Sequence, residues 1–223
     1  QELALPVWIP GSYLVREFSK NLQNLQAHQG RQAVALQQLD KHRWLATCQP
    51  GKPLVLRYAV YACDASVRTA WLDAARGFLN ATSLCLRAEG HTEQPCTIDI
   101  VAPEKIADSA QWSCATALFP LKVDRRGFGR YRADDYDTLA DCPVEMGAFW
   151  SARFTAGGAA HRFVVAGAAA SFDGKRLLAD TRKICEAAMR LWHGEGKPPF
   201  KNYLFMLNVV HDGYGGLEHR NST

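Results

Sequence analysis

The 223-residue sequence contains no H-E-x-x-H, no G-x-S-x-G, no C-x-x-C and no glycine-rich phosphate loop. Each absence removes a chemistry. Without H-E-x-x-H the helical histidine pair of a hydrolytic zinc site is missing, and without G-x-S-x-G there is no serine elbow. Gly127-Phe128-Gly129 has too little glycine around it to cradle a phosphate. Long apolar runs are also absent, and nothing approaches the ~20 residues that a membrane-crossing helix needs. Charge of one sign is scarce: 26 Lys and Arg face 22 Asp and Glu, and the net +4 is spread along the chain. That gives a nucleic-acid partner little to hold.

Cysteine is present without a pattern. Cys48, Cys63, Cys85, Cys96, Cys114, Cys142 and Cys185 are odd in number and irregular in spacing, which argues against a disulfide scaffold or a zinc ribbon. Most sit among apolar or small neighbours, as in LATCQ and KICEA, so buried free thiols in a reducing, cytoplasmic compartment are expected. The first residues, QELALPVWIP, have no initiator Met and open inside a strand-like run. We read the true start as missing, which is compatible with a removed signal peptide.

What remains is an ordinary globular balance, with 48% hydrophobic and 22% charged residues. Up to about residue 170 the pattern is short strands divided by turn signals. After the turn Pro50–Pro53, Leu54, Leu56, Tyr58 and Val60 alternate with Val55, Arg57, Ala59 and Tyr61, as in a half-buried strand. Further strands are predicted over 78–86, 97–102, 149–154 and 162–166. This spacing suggests an antiparallel sheet or sandwich. Beyond Ala170 the period changes. Asp173 is a candidate N-cap and Gly194 a candidate stop. Between them Leu177, Leu178, Thr181, Ile184, Cys185, Ala188, Met189 and Trp192 fall on one helical stripe, and the helix is expected to pack through Leu177, Ile184, Ala188 and Trp192. A loop, GEGKPPFKN, then leads to YLFMLNVV, which reads as a strand buried on both faces. We therefore expect two domains, 1–170 and 171–223, joined near GAAAS.

The chemistry-bearing residues are sparse. Seven histidines are scattered, and His211 and His219, eight apart across a glycine turn, lack a third ligand. The unusual segment is His211-Asp212-Gly213-Tyr214-Gly215-Gly216-Leu217-Glu218-His219. Its glycines allow a tight turn or a close backbone approach. If Leu217 points into a core, Glu218 points the opposite way, where its carboxylate could bind a substrate cation. A glycine-rich hairpin carrying an exposed Glu is the plainer alternative.

Three blocks carry a family resemblance. Gly215-Gly216-Leu217-Glu218-His219, with Ser222-Thr223 following, resembles the GGLEH-x-x-ST signature of the glycyl aminopeptidase family of zinc metallopeptidases, many of which also carry a PDZ domain. Trp8-Ile9-Pro10-Gly11-Ser12-Tyr13, with Arg16 and Phe18, is similar to that family's N-terminal W-x-P-G-S-Y-x-x-R-x-F block. Asp141-Cys142-Pro143-Val144-Glu145-Met146-Gly147 resembles its D-x-P-x-E-x-G segment. The blocks occur in the family's order and span nearly the whole chain.

The resemblance implies a β-rich N-terminal domain followed by the α+β start of a thermolysin-like catalytic domain. In the related aminopeptidase N group a G-x-M-E-N strand borders the substrate cleft. Carried over, Glu218 would hold the free α-amine of a peptide substrate, while Gly215 and Gly216 form the cleft edge. Asp141 and Glu145 are further candidates for substrate contact. Zinc and the catalytic residues would belong to the full-length parent, beyond Thr223; within this chain no catalytic residue, metal ligand or cofactor is expected. In the WIPGSYLVREF block Trp8, Tyr13 and Phe18 are expected to pack around the Pro10-Gly11 turn, with Arg16 as donor in a buried pair. The competing function is a non-catalytic β-domain that docks peptides or proteins.

Overall fold

The computed structural model describes residues 1–194 and 197–223 and arranges their strands in five small sheets. Glu195 and Gly196, in the expected GEGKPPFKN loop, lie outside the described residues. The alternation read around residue 55 is a strand, Val55–Val60, with Leu56, Tyr58 and Val60 turned inward. It pairs antiparallel with Leu22–Gln29. A four-stranded sheet places Val144–Gly147 between Ser113–Thr116 and Arg76–Leu79. Another joins Cys96–Ile100, Gly129–Ala133 and Phe119–Val123.

These two sheets share one core, built on Trp112, Tyr131, Tyr136, Leu139 and Val144. A short helix, α1 (Tyr136–Ala140), contributes to it. Its N-terminus is fixed by Asp135, whose side chain accepts from the Thr138 N–H at 2.6 Å. A second core gathers Leu3, Leu5, Ile9, Phe18 and Trp44 from the start of the chain, and Leu217 from its far end.

The C-terminal sheet differs in kind. Trp150–Ala156 and Ala159–Ala166 form an antiparallel hairpin, but Asn202–Asn208 joins Ala159–Ala166 in parallel. A parallel neighbour needs a crossover, which α2 (Gly174–His193) supplies. The helix starts and stops where the sequence says. Asp173 accepts from the Arg176 N–H at 3.0 Å, and Gly194 adopts a φ of +57°. Gly174 lies so close to the Trp150 ring that any Cβ would collide with it.

Three expectations change. The helix does not pack through Ile184, Ala188 and Trp192. Leu177, Leu178, Thr181, Cys185, Glu186 and Met189 are the half-buried residues, whereas Ile184 and Trp192 are 68% and 79% exposed. Only one edge of the apolar stripe is therefore covered. Asn202–Asn208 is not buried on both faces: Leu204 alone in it is fully buried. The glycine segment makes no hairpin, because its first return contact, Leu204 with Ser222, is parallel. Ala159–Ala166 and Asn202–Asn208, on either side of the expected boundary near residue 170, are hydrogen-bonded neighbours.

Candidate functional site

The C-terminal segment is held by its end. Asn221 O accepts from Leu204 N at 3.0 Å, Leu204 O from Thr223 N at 3.0 Å, and Thr223 O from Met206 N at 2.8 Å. Residues 213–219 precede this anchor as a stretch outside any helix or strand. Its shape is set by side chains from distant parts of the sequence.

The three motif blocks meet here. Gly11, with a φ of +80°, lies under Leu217; a Cβ at that position would stand 2.6 Å from Leu217 Cδ1. Only glycine permits both that conformation and that approach. Asp141, at the C-terminus of α1, grips the other side of the segment. Its Oδ1 lies 3.1 Å from His219 Nδ1, and its Oδ2 accepts from the Arg220 N–H at 3.0 Å. Both side chains of the His219–Asp141 pair are almost wholly buried. Thr223 Oγ1 donates to Leu217 O at 3.1 Å. Leu217 and His219 are thus pinned inward, and Glu218 between them is turned to solvent. Among the described residues no cation lies within salt-bridge distance of it.

Gly215 and Gly216 are exposed and carry no steric need for glycine. A Cβ on Gly215 would make ordinary contacts of 3.8 Å with Val67, and one on Gly216 would meet open space. Two residues outside the motifs support the segment. Asn80, fully buried, donates to Val67 O at 2.9 Å and to Thr69 O at 3.2 Å, fixing the loop beside Gly215. Tyr203 donates to Ser222 O at 3.2 Å. Its hydroxyl is pushed up by burial and, less strongly, by the nearby Cys185, Glu218 and Asp141. Neither could have been found from spacing, since each acts on residues far from it in sequence.

The other candidate acids are committed inward. Glu145 is 2% exposed and pairs bidentately with Arg76, Nε to Oε1 and Nη2 to Oε2 both at 2.7 Å. Burial pushes its carboxyl up, and the guanidinium opposes that shift. Asp141 is occupied by His219 and Arg220. Both are framework groups here, because β pairing and α1 turn them away from solvent.

The first block also departs from expectation. Phe18 is buried, but Trp8 and Tyr13 are exposed, Tyr13 almost completely. Arg16 donates through Nε to Ser12 Oγ at 2.9 Å and has no carboxylate partner among the described residues. Trp8 Nε1 donates to Ser12 O at 2.8 Å, so Ser12 organises this loop.

Among the described residues no three His, Cys, Asp or Glu side chains come close enough to share a metal ion. His211 is exposed, and His219 is engaged by Asp141. These residues do not fit a zinc site. The seven cysteines are free; burial pushes Cys142 up to about 12 and Cys85 up to about 11, which keeps both thiols protonated. Among the described residues no helix is long and apolar enough to cross a membrane.

Comparison with known proteins bears on this geometry. Residues 1–148 match the family described as the peptidase M61 N-terminal domain. The crystal structure of an aminopeptidase N family protein from Idiomarina loihiensis is 42% identical, with a TM-score of 0.91 over 100% of this chain. This chain covers 36% of that one, so it spans about a third of the relative's length. An M1 zinc metallopeptidase from Deinococcus radiodurans (15% identity, TM-score 0.50, 95% of this chain and 49% of that) shares the fold. So does yeast LTA4 hydrolase (12% identity, TM-score 0.52, 99% and 34%). Among curated proteins nothing matches.

Proposed function

The chain belongs to the peptidase M61 N-terminal domain family, and from that premise we propose that it is the substrate-amine-binding front part of a zinc-dependent aminopeptidase. The observation that carries the reading is the outward set of Glu218 between the two pinned residues Leu217 and His219. A carboxylate held this way is preorganised for a peptide's terminal ammonium, which it would bind through a charge-assisted hydrogen bond. The unexplained glycines at 215 and 216 fit the same role, since a substrate backbone could approach them without meeting a Cβ. Holding the amine would also place the first peptide carbonyl, so Glu218 would contribute positioning as well as affinity.

In this reading zinc and the water-activating residues belong to a longer protein, and the metal supplies Lewis-acid activation of water there. The crossover unit of residues 150–208 is the start of the thermolysin-like domain, which moves the proposed domain boundary to about 148. The uncovered edge of α2 then packs against further chain. The finer assignment, to glycyl aminopeptidases with their preference for small N-terminal residues and their PDZ-bearing members, rests on the GGLEH-x-x-ST pattern.

The test uses a longer protein of the same reading frame. A downstream H-E-x-x-H should be present; its absence would favour the non-catalytic binding module. Glu218→Ala should lower kcat/KM on free-amine peptides by roughly ten- to a hundred-fold. N-acetylated peptides should be poor substrates that the substitution hardly worsens. Equal proportional losses on both would remove Glu218 as the amine anchor.

A further inference from the structure

A second candidate site adjoins the anchor of the Glu218 segment, sharing Tyr203, Leu204 and Asn221 with it. A cleft of about 690 Å³ opens between the Asp124–Gly127 turn on one side and the Trp150–Ala156, Ala159–Ala166 and Asn202–Asn208 sheet on the other. Its size is that of a small-molecule site, about 300–1,000 Å³. Arg125, Arg126, Arg153 and Arg162 line it, together with Asn202 and Ser113.

The charges are not balanced from within. Asp124, an acid of the lining, is spent on the turn: it accepts from the Arg126 and Phe128 N–H groups at 2.8 and 2.9 Å and sits 3.5 Å from Arg126 Nε. Arg126 also donates to Ser109 O and Ala110 O. Arg125, Arg153 and Arg162 have no carboxylate within salt-bridge distance among the described residues. Arg153 and Arg162 are directly opposed across the antiparallel hairpin, an arrangement that repels when both are charged. Arg162 is half-buried, with one side-chain hydrogen bond, to Ser151 Oγ at 3.0 Å, and the Phe149 ring 5.8 Å away. Desolvation, then Arg153, pulls the Arg162 guanidinium below its ordinary value. A chain that places two like charges face to face and half-buries one is left with an electrostatic deficit that an anion would fill.

We propose that this cleft binds a small oligoanion, with phosphate or carboxylate groups bridging Arg153 and Arg162 on the sheet and Arg125 on the turn. Guanidinium groups suit such oxygens because their paired N–H donors match them two at a time. This site does not depend on the peptidase reading.

The experiment titrates residues 1–223 by calorimetry with inorganic pyrophosphate and, separately, with citrate, at low ionic strength. We expect saturable one-to-one binding of at least one of them. Tighter pyrophosphate binding identifies a phosphate-bearing ligand, tighter citrate binding a carboxylate-bearing one. Arg162→Gln and Arg153→Gln should each weaken it about tenfold or more. Arg57→Gln, an exposed arginine on the Val55–Val60 strand, should leave it unchanged. Arg153 is also exposed, so its substitution keeps the test valid even if Arg162→Gln disturbs folding. No saturable binding of either anion overturns the proposal. So does binding that Arg153→Gln leaves intact or Arg57→Gln weakens equally, or binding confined to polyglutamate, which would make the surface a protein contact.

Discussion

The Asp141–Gly147 segment, which runs from the end of α1 into a central strand, and the Gly213–His219 segment are each short and motif-bearing, yet they treat their carboxylates in opposite ways. In the first, Asp141 and Glu145 are turned inside and bonded, to His219 and Arg220 in one case and to Arg76 in the other. In the second, Glu218 is exposed while its two neighbours do the packing. A carboxylate satisfied from within contributes to the fold. One held firmly in place but left without a partner is available to a ligand. The first segment also serves the second, since Asp141 is the clamp that sets Glu218's direction.

Three substitutions test that contrast by stability, measured as urea unfolding of residues 1–223. Arg76→Ala should have the largest effect. It strands the 2%-exposed Glu145 carboxylate, and breaking such a pair costs about 3–5 kcal/mol. A loss under ~1 kcal/mol would mean the pair is not buried in solution. Asp141→Ala should cost less, about 1.5–3 kcal/mol, for the contacts to His219 and the Arg220 N–H. It should also open residues 213–223 to proteolysis before the rest of the chain unfolds. Uniform cleavage across the chain would show that Asp141 does not clamp this segment. Glu218→Ala should change stability by no more than about 0.5 kcal/mol, as at an exposed position with no protein partner. A larger loss would make Glu218 a framework residue and erase the contrast.

Local signals in the sequence were legible where local physics decides. The α2 boundaries follow from Asp173 and Gly194, because a cap and a positive-φ glycine stop act within one turn. The Val55–Val60 alternation follows from period two. Other features depended on what lies across the fold. The stripe on α2 gave its direction but not which edge a three-stranded sheet would cover, so Ile184 and Trp192 were misplaced in the core. Trp8 and Tyr13 were misplaced for the same reason: apolar character does not say whether a neighbour is there to bury it. The glycine hairpin failed because Asn202–Asn208 takes Ser222 in parallel. Asn80, Tyr203 and the facing Arg153 and Arg162 carry no local signature.

By itself, the sequence determined the β-rich character, the helix ends, the motif order and the alternation that sets Glu218 opposite Leu217. Those depend on backbone periodicity, capping and side-chain type, which act over a few residues. Only the tertiary structure decided which acids are bound and which is free. It brought Gly11 to Leu217 and Asp141 to His219, contacts that join residues 206 and 78 positions apart. Whether a carboxylate binds a ligand or holds the fold depends on which charge or donor faces it, and chain spacing does not encode that partner.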